Sequence, residues 1–193
     1  MQKIRVIAAT NNAHKLVEMR DILGDKFEVV SLKEIGVEVE VEEDGATFYA
    51  NALKKAREIC KITKEPALAD DSGLMVEALA GAPGVFSARY AGEICDDSAN
   101  NIKLLNEMQG VENRKAKFVS SIVLFYPNGN HISAVGDVKG YILDSLEGEN
   151  GFGYDPLFYS TDLEQSFGVA TSEEKNAVSH RGRALTKLAK MLV

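Results

Sequence analysis

The chain has 193 residues, 45% of them hydrophobic and 26% charged, with a formal net charge of −7. This is an ordinary globular composition with enough chain for a sizeable core, and its acidic balance argues against a nucleic-acid polymer or an anionic membrane as partner, because phosphates are held by clustered Lys and Arg. Cys60 and Cys95 lack a CxxC spacing, and Met1-Gln2-Lys3 leads straight into Ile4-Arg5-Val6-Ile7, so zinc knuckle, disulfide framework, signal peptide and membrane span are all disfavoured and a soluble cytoplasmic protein is expected.

Ile4 to Ala9 is a β-branched apolar run that predicts a strand, followed by Thr10-Asn11-Asn12 and a helical pattern through Leu16, Met19, Ile22 and Leu23. Phe27 to Leu32 predicts a second strand. An acidic loop, Glu38 to Asp44, precedes a helix from Phe48 to about Lys61 with Ala52, Leu53, Ala56 and Ile59 inward. Pro66-Ala67-Leu68-Ala69 reads as a buried strand ending at Asp70-Asp71-Ser72-Gly73. Gly81, Pro83 and Gly84 punctuate a loop to Tyr90, and Ser98 to Met108 resumes helical spacing at Ile102, Leu105 and Met108.

Ala116 to Tyr126 and Ile132 to Ile142 flank Pro127-Asn128-Gly129-Asn130 and predict a hairpin. A Gly-rich loop, Glu147 to Asp155, precedes Pro156. In the last segment Leu185, Leu188, Ala189 and Leu192 share one helical face, with Ser179 as expected N-cap and His180 and Arg181 in the first turn. Positive charge at a helix start forgoes or loses about 0.3–1 kcal/mol. Either function or a solvated basic turn answering Glu173 and Glu174 would account for it. The pattern predicts a mixed α/β fold with an antiparallel component and no internal domain boundary, hence one domain over residues 1–193.

Four polar constellations stand out. Thr10-Asn11-Asn12-Ala13-His14-Lys15 lies between a strand and a helix, where loops of α/β sheets bind ligands, and its hydroxyl, amide, backbone and lysine donors suit phosphate. It lacks the glycines of a Walker A loop. Asp70 and Asp71 are adjacent on a strand, so they point to opposite faces: one enters a site and the other is structural. The Glu38, Glu40, Glu42, Glu43 and Asp44 cluster is a third carboxylate source, and carboxylates from separate segments suit Mg²⁺; a cap or turn at Asp70-Asp71 and a solvated face for the acidic loop are the alternatives. Gly151-Phe152-Gly153-Tyr154-Asp155 sets two rings beside flexible backbone; taken alone it reads as a packed loop with core aromatics, and the functional reading is stacking on a planar base. The fourth is Lys175, His180 and Arg181. The three histidines, His14, His131 and His180, have no GxSxG nucleophile context. Cys60 reads as core, and Cys95 lacks a basic neighbour to activate it.

Thr10-Asn-Asn-Ala-His-Lys15, Glu42-Glu43-Asp-Gly-Ala-Thr-Phe48, Ala69-Asp-Asp-Ser-Gly-Leu74, Gly81-Ala-Pro-Gly84, Ser87-Ala-Arg-Tyr90, Phe152-Gly-Tyr-Asp-Pro156 and Glu174-Lys-Asn-Ala-Val-Ser-His-Arg181 occur in this order. Together they resemble the inosine triphosphate pyrophosphatase family, also called Ham1 or RdgB, over nearly the whole chain. One departure is Asn11, where the family usually has Gly; Asn accepts positive φ more readily than most residues, which would let the loop keep its shape.

The resemblance implies a cytosolic homodimer, each chain a domain of two lobes around a long mixed β-sheet with flanking helices and the nucleotide in the interlobe cleft. It implies Mg²⁺-dependent hydrolysis of ITP, dITP and XTP to the monophosphate and pyrophosphate. It carries triphosphate binding to Thr10, Asn11, Asn12, Ala13, His14 and Lys15, and catalysis to Asp71 as general base with Lys15. Metal binding falls to Asp71 with Glu42 or Glu43. Ser72, Phe152, Gly153, Tyr154, Asp155, Lys175, His180 and Arg181 are implied to line the nucleotide site. Arg181 or Lys175, which can only donate hydrogen bonds, would pair with a 6-oxo purine and reject the 6-amino group of adenine. Asp70 suits either metal contact or structural support. A Maf-type pyrophosphatase acting on other nucleotides, and a nucleotide-binding regulatory module without turnover, are the competing readings.

Overall fold

In the computed structural model, residues 3–92 and 95–192 are described. Chain order is β1 (Ile4–Ala8), α1 (Ala13–Leu23), β2 (Phe27–Ser31), α2 (Phe48–Thr63), β3 (Ala67–Val76), α3 (Asp97–Glu107), β4 (Lys115–Phe125), β5 (His131–Ile142), β6 (Phe158–Ser160), β7 (Gln165–Ser166), α4 (Ser172–Val178) and α5 (His180–Lys190). The strands form one mixed seven-stranded sheet in the order β2-β1-β3-β4-β5-β6-β7. β1 pairs in parallel with β2 and β3, whereas β6 pairs antiparallel with β5 and β7. The fold is therefore α/β with flanking helices, as the sequence pattern predicts. By backbone proximity the chain clusters into two units: residues up to 71 with 120–136 and 181 onward, and residues 72–119 with 137–180.

Period-two alternation organises the first unit. Val6, Ala8, Leu68, Ile122 and Leu124 pack with Met19 and Leu23 of α1 and Ala184, Leu185 and Leu188 of α5. Ile7, Ala9, Ala67, Ala69 and Val123 pack with Ala52, Ala56, Ile59 and Cys60 of α2. Successive strand side chains point to opposite faces, so apolar runs at β1, β3 and β4 need a helix layer on each side. α2 starts at Thr47, whose side chain accepts from Ala50 N, and ends at Lys64 in the left-handed conformation. Cys60 is buried and Cys95 exposed, with no disulfide between them.

In the second unit Leu74, Val76, Leu104, Phe118, Val138, Ile142, Tyr154, Leu157, Phe158 and Phe167 form one core. Phe118 and Phe158 meet with ring centroids 4.7 Å apart, and Phe118 lies 6.2 Å from Phe167. The β4–β5 hairpin forms where predicted, closed by Tyr126 N to Asn130 O at 2.9 Å.

Three expectations are corrected. The strand expected over residues 66–69 continues through Asp70-Asp71-Ser72-Gly73 to Val76, because flanking charges satisfy the two carboxylates and apolar residues resume at Leu74. In α3 and its C-cap the expected stripe holds at Leu105 and Met108, which pack into the core, but Ile102 is 57% exposed; Asn100 and Asn101 are buried beside Leu104 because their amides bond loop backbone. α4 goes unseen in the sequence reading, although Thr171 and Glu174 form a capping box at its start. Ser179 closes α4 and immediately precedes α5, so His180 and Arg181 do open the terminal helix.

Gly140 is a site of close approach: a Cβ there would lie 2.0 Å from Tyr159 O in the paired strand β6. Gly140→Ala is expected to destabilise the protein by about 2 kcal/mol or more through overpacking against backbone. Urea unfolding measures this, and an unchanged midpoint would refute the close approach.

Candidate active site

In the first unit, one buried carboxylate gathers three elements. Asp70 on β3 is fully buried, and its Oδ2 lies 2.8 Å from Lys15 Nζ and 3.0 Å from Arg181 Nη2, while its Oδ1 accepts from Ser120 Oγ at 2.5 Å. Arg181, itself 1% exposed, also donates from Nη1 to Glu18 on α1. Burial alone would raise the Asp70 pKa, but the Arg181 and Lys15 charges outweigh it and hold the carboxyl well below the usual range. Burial likewise opposes the Arg181 charge, and Asp70 and Glu18 more than compensate.

Asp71 faces a different set. Its Oδ2 accepts from Asn51 Nδ2 at 2.9 Å, and its Oδ1 lies 3.9 Å from Lys55 Nζ. Lys55 Nζ is 2.6 Å from Glu43 Oε1 and donates to Asp70 O at 2.8 Å. Burial raises the Asp71 pKa first, Lys55 pulls it down, Glu43 pushes it up, and the carboxyl settles at about 6. Two carboxylates thus share one ammonium, which is an oxygen-only, repulsive pair that a hard divalent cation would relieve. Among the described residues no three or more His, Cys, Asp or Glu side chains form a metal-holding group.

The loop after β1 is shaped by its own side chains. Asn12 caps α1 by accepting from Lys15 N at 3.1 Å, and Thr10 Oγ1 accepts from Asn12 N at 3.1 Å. Asn11 is not among the described residues with positive φ, so the left-handed conformation invoked to accommodate it is unnecessary. Its Nδ2 instead donates to Val39 O at 3.2 Å, tying this loop to the acidic one. Ala13 and His14 are exposed in the first turn of α1.

The second unit holds a ring, a cation and a carboxylate together. Lys175 Nζ lies 2.7 Å from Asp155 Oδ2 and 4.5 Å from the centroid of the Phe152 ring. Asp155 Oδ2 also accepts from Phe152 N at 2.8 Å. Gly151, at φ 75°, must be glycine, since a Cβ would sit 2.1 Å from that oxygen. His180 stacks on Phe118 at 4.8 Å and 13°. Tyr154, expected to offer a ring for stacking, is a 4% exposed core residue whose hydroxyl donates to Ser87 O at 2.7 Å. Ser72, intermediate in exposure, begins this unit directly after Asp71.

The structure thus gathers Lys15, Asp70 and Arg181 into one cluster, Asp71 and Glu43 into a second, and Phe152, Asp155 and Lys175 into a third. Glu42, one residue before Glu43, is exposed. Four participants escaped the sequence reading: Glu18, Asn51, Lys55 and Ser120. A signal existed for two of them, because Asn51 and Lys55 are spaced i, i+4 beside the Ala52, Ala56, Ile59 stripe and so fall on the buried face of α2. No signal marked Glu18 or Ser120.

The Ham1 family model matches residues 6–191. A protein of Clostridium perfringens named dITP/XTP pyrophosphatase is 50% identical over 193 residues, covering 95% of each chain. A Bacillus subtilis protein of the same name is 45% identical over 189 residues, covering 96% of each. Among solved structures, the Ham1 protein of Staphylococcus aureus matches with a TM-score of 0.87 and 40% identity over 97% of both chains. A HAM1 protein from Coxiella burnetii matches at 0.89 and 40% over 98% of both. Near-full-length agreement in sequence and fold, over the segments that build these clusters, makes the chain a member of the Ham1 family.

Proposed function

We propose that the protein hydrolyses the non-canonical purine nucleoside triphosphates ITP, dITP and XTP to the monophosphate and pyrophosphate, removing them from the nucleotide pool. The observation that carries this reading is the pair of carboxylates, Asp71 on the buried strand β3 and Glu43, set around Lys55, in a family whose relatives are named dITP/XTP pyrophosphatase.

Asp71 and Glu43 would hold Mg²⁺; the preference for Glu43 over Glu42 rests on its place beside Lys55. Bound there, the ion supplies charge neutralisation and lowers the pKa of water. Asp71 takes a proton from the water whose oxygen bonds to the α-phosphorus, as the bond to the α–β bridging oxygen breaks and pyrophosphate leaves. The start of α1, with Thr10, Asn11, Asn12, Ala13 and His14, offers donors to the triphosphate, and Lys15, held by Asp70, offsets charge on the leaving group.

Base choice falls to the second unit. Lys175, aligned over Phe152 by Asp155, donates to the 6-oxo group of hypoxanthine or xanthine while Phe152 stacks, with Gly153, Tyr154 and Ser72 shaping the surroundings and His180 bordering them. Adenine would set a donor against that cation, and an unpaired buried donor costs about 1–3 kcal/mol, more when charged. Arg181 serves through Asp70 and Glu18, since its guanidinium already engages both. The reading includes a homodimer acting in the cytoplasm.

With Mg²⁺ and a panel of ITP, dITP, XTP, ATP, GTP and dTTP, pyrophosphate should come chiefly from the first three. Orthophosphate release, or equal use of ATP, would overturn the proposal, and a dTTP preference would favour a Maf-type activity. Lys15→Ala should lower kcat/KM for ITP about 100-fold or more. Asp71 also predicts a stability signature. Its folded-state pKa of about 6 exceeds that of an ordinary carboxyl, about 4. The folded state therefore keeps a proton that the unfolded chain releases, and the resulting stabilisation is complete at low pH and lost as pH rises through 6. Asp71→Asn should abolish turnover yet raise Tm of the metal-free protein above about pH 7; an unchanged or lower Tm there would contradict the raised pKa. Sedimentation analysis should give twice the 21.0 kDa chain mass, and a monomer at working concentration would remove the dimer from the reading.

A further inference from the structure

We propose that Asp97 and Asn101 are positioning residues for base selection, acting as a two-point clamp on the backbone of Gly153. The inference rests on the reading of residues 151–155 as the base-binding loop and adds two residues on a helix that this reading does not use.

Asp97 and Asn101 are one turn apart on α3, so their side chains lie on the same face. Asp97 Oδ2 accepts from Gly153 N at 2.8 Å, and Asn101 Nδ2 donates to Gly153 O at 2.9 Å. Both polar groups of a single peptide position are thereby fixed by one helix. Gly153 is at φ 60°, in the left-handed region that favours glycine, and it sits one residue from Phe152 and two from Asp155. The residues around it are held by other means: Asp155 by Lys175, the Phe152 amide by Asp155, and Tyr154 by the Ser87 carbonyl. Gly153 is the peptide position between these anchored neighbours, and α3 fixes it from outside the loop.

Two observations argue that the clamp positions the loop rather than filling the core. Asn101 is 6% exposed, yet its Oδ1 has no hydrogen-bond partner, so the amide is oriented for the Gly153 bond at the expense of its acceptor. Asp97 is exposed, a position at which a bond contributes little to global stability but can still order a loop. The helix that carries them is itself anchored. Asp96 caps its start, Asn100 Nδ2 donates to Ala88 O at 2.9 Å and its Oδ1 accepts from Ala91 N at 2.7 Å, and Lys103 Nζ reaches Tyr90 O at 2.8 Å. The Ser87-Ala-Arg-Tyr90 segment and the recognition loop are thus registered to the same helix.

The test compares Asp97→Ala, Asp97→Asn and Asn101→Asp in the full chain with Mg²⁺. Asp97→Ala and Asn101→Asp should raise KM for ITP about tenfold, change kcat less than about twofold and lower the ITP-to-ATP ratio of kcat/KM. Asp97→Asn, which keeps an acceptor for Gly153 N, should retain wild-type behaviour. Hydrogen exchange of the Gly153 amide should accelerate in Asp97→Ala, with Tm little changed. Unaltered KM and selectivity, a fall in kcat alone, or equal damage from Asn and Ala at position 97 would overturn the positioning role. Unchanged Gly153 exchange would overturn the clamp itself, whatever the substrate. If wild-type enzyme shows no preference for ITP, it is the base-binding reading that fails, and Gly153 exchange still decides the clamp.

Discussion

A guanidinium with almost no access to water holds the first unit together. Arg181 opens helix α5 and bridges Asp70 on strand β3 and Glu18 on helix α1. Isolated, each of these charges would be very costly to bury; together, with Ser120 and Lys15 completing the set around Asp70, they are mutually satisfied. Removing any one member strands the others, which makes the arrangement specific to a single packing of α1, β3 and α5. It also holds Lys15 through Asp70 and leaves the next residue, Asp71, pointing the other way on the strand.

The adjacent carboxylates consequently have opposite electrostatic fates. Asp70, facing Arg181 and Lys15, stays ionised far below neutral pH; Asp71, buried beside Glu43 with Lys55 at longer range, is pushed to about 6. One strand therefore supplies a structural anion and a titratable one from neighbouring positions. The second unit separates roles in a similar manner. Lys175 is neutralised by Asp155 while its charge lies over Phe152, and the loop bearing that ring is pinned through Gly153.

Much of this is legible in the sequence. Period-two and helical spacings placed β1, β2, α2, the β4–β5 hairpin and the apolar face of α5, because each depends on local alternation and turn chemistry. Thr10 to Lys15, Asp70-Asp71, the 151–155 loop and Lys175, His180 and Arg181 stood out as polar groups set among apolar elements. The anomaly of a cation at the start of α5 was also visible. The sequence left open what would neutralise it, and a nucleobase was one answer; the carboxylates that do so come from residues 18 and 70, more than a hundred positions away.

What the sequence by itself determined was which segments become strands and helices and which residue types are available for phosphate, metal and base. Only tertiary structure decided partnership: Glu43 rather than Glu42 beside Lys55, Tyr154 in the core rather than offered for stacking, Asn100 and Asn101 inward in place of Ile102. Local propensity acts over a few residues, whereas desolvation and charge pairing are settled by whatever the fold brings within a few ångströms. The burial that raises Asp71 and the pairing that lowers Asp70 are properties of that assembly, and two identical residues side by side in the chain carry no mark of the difference.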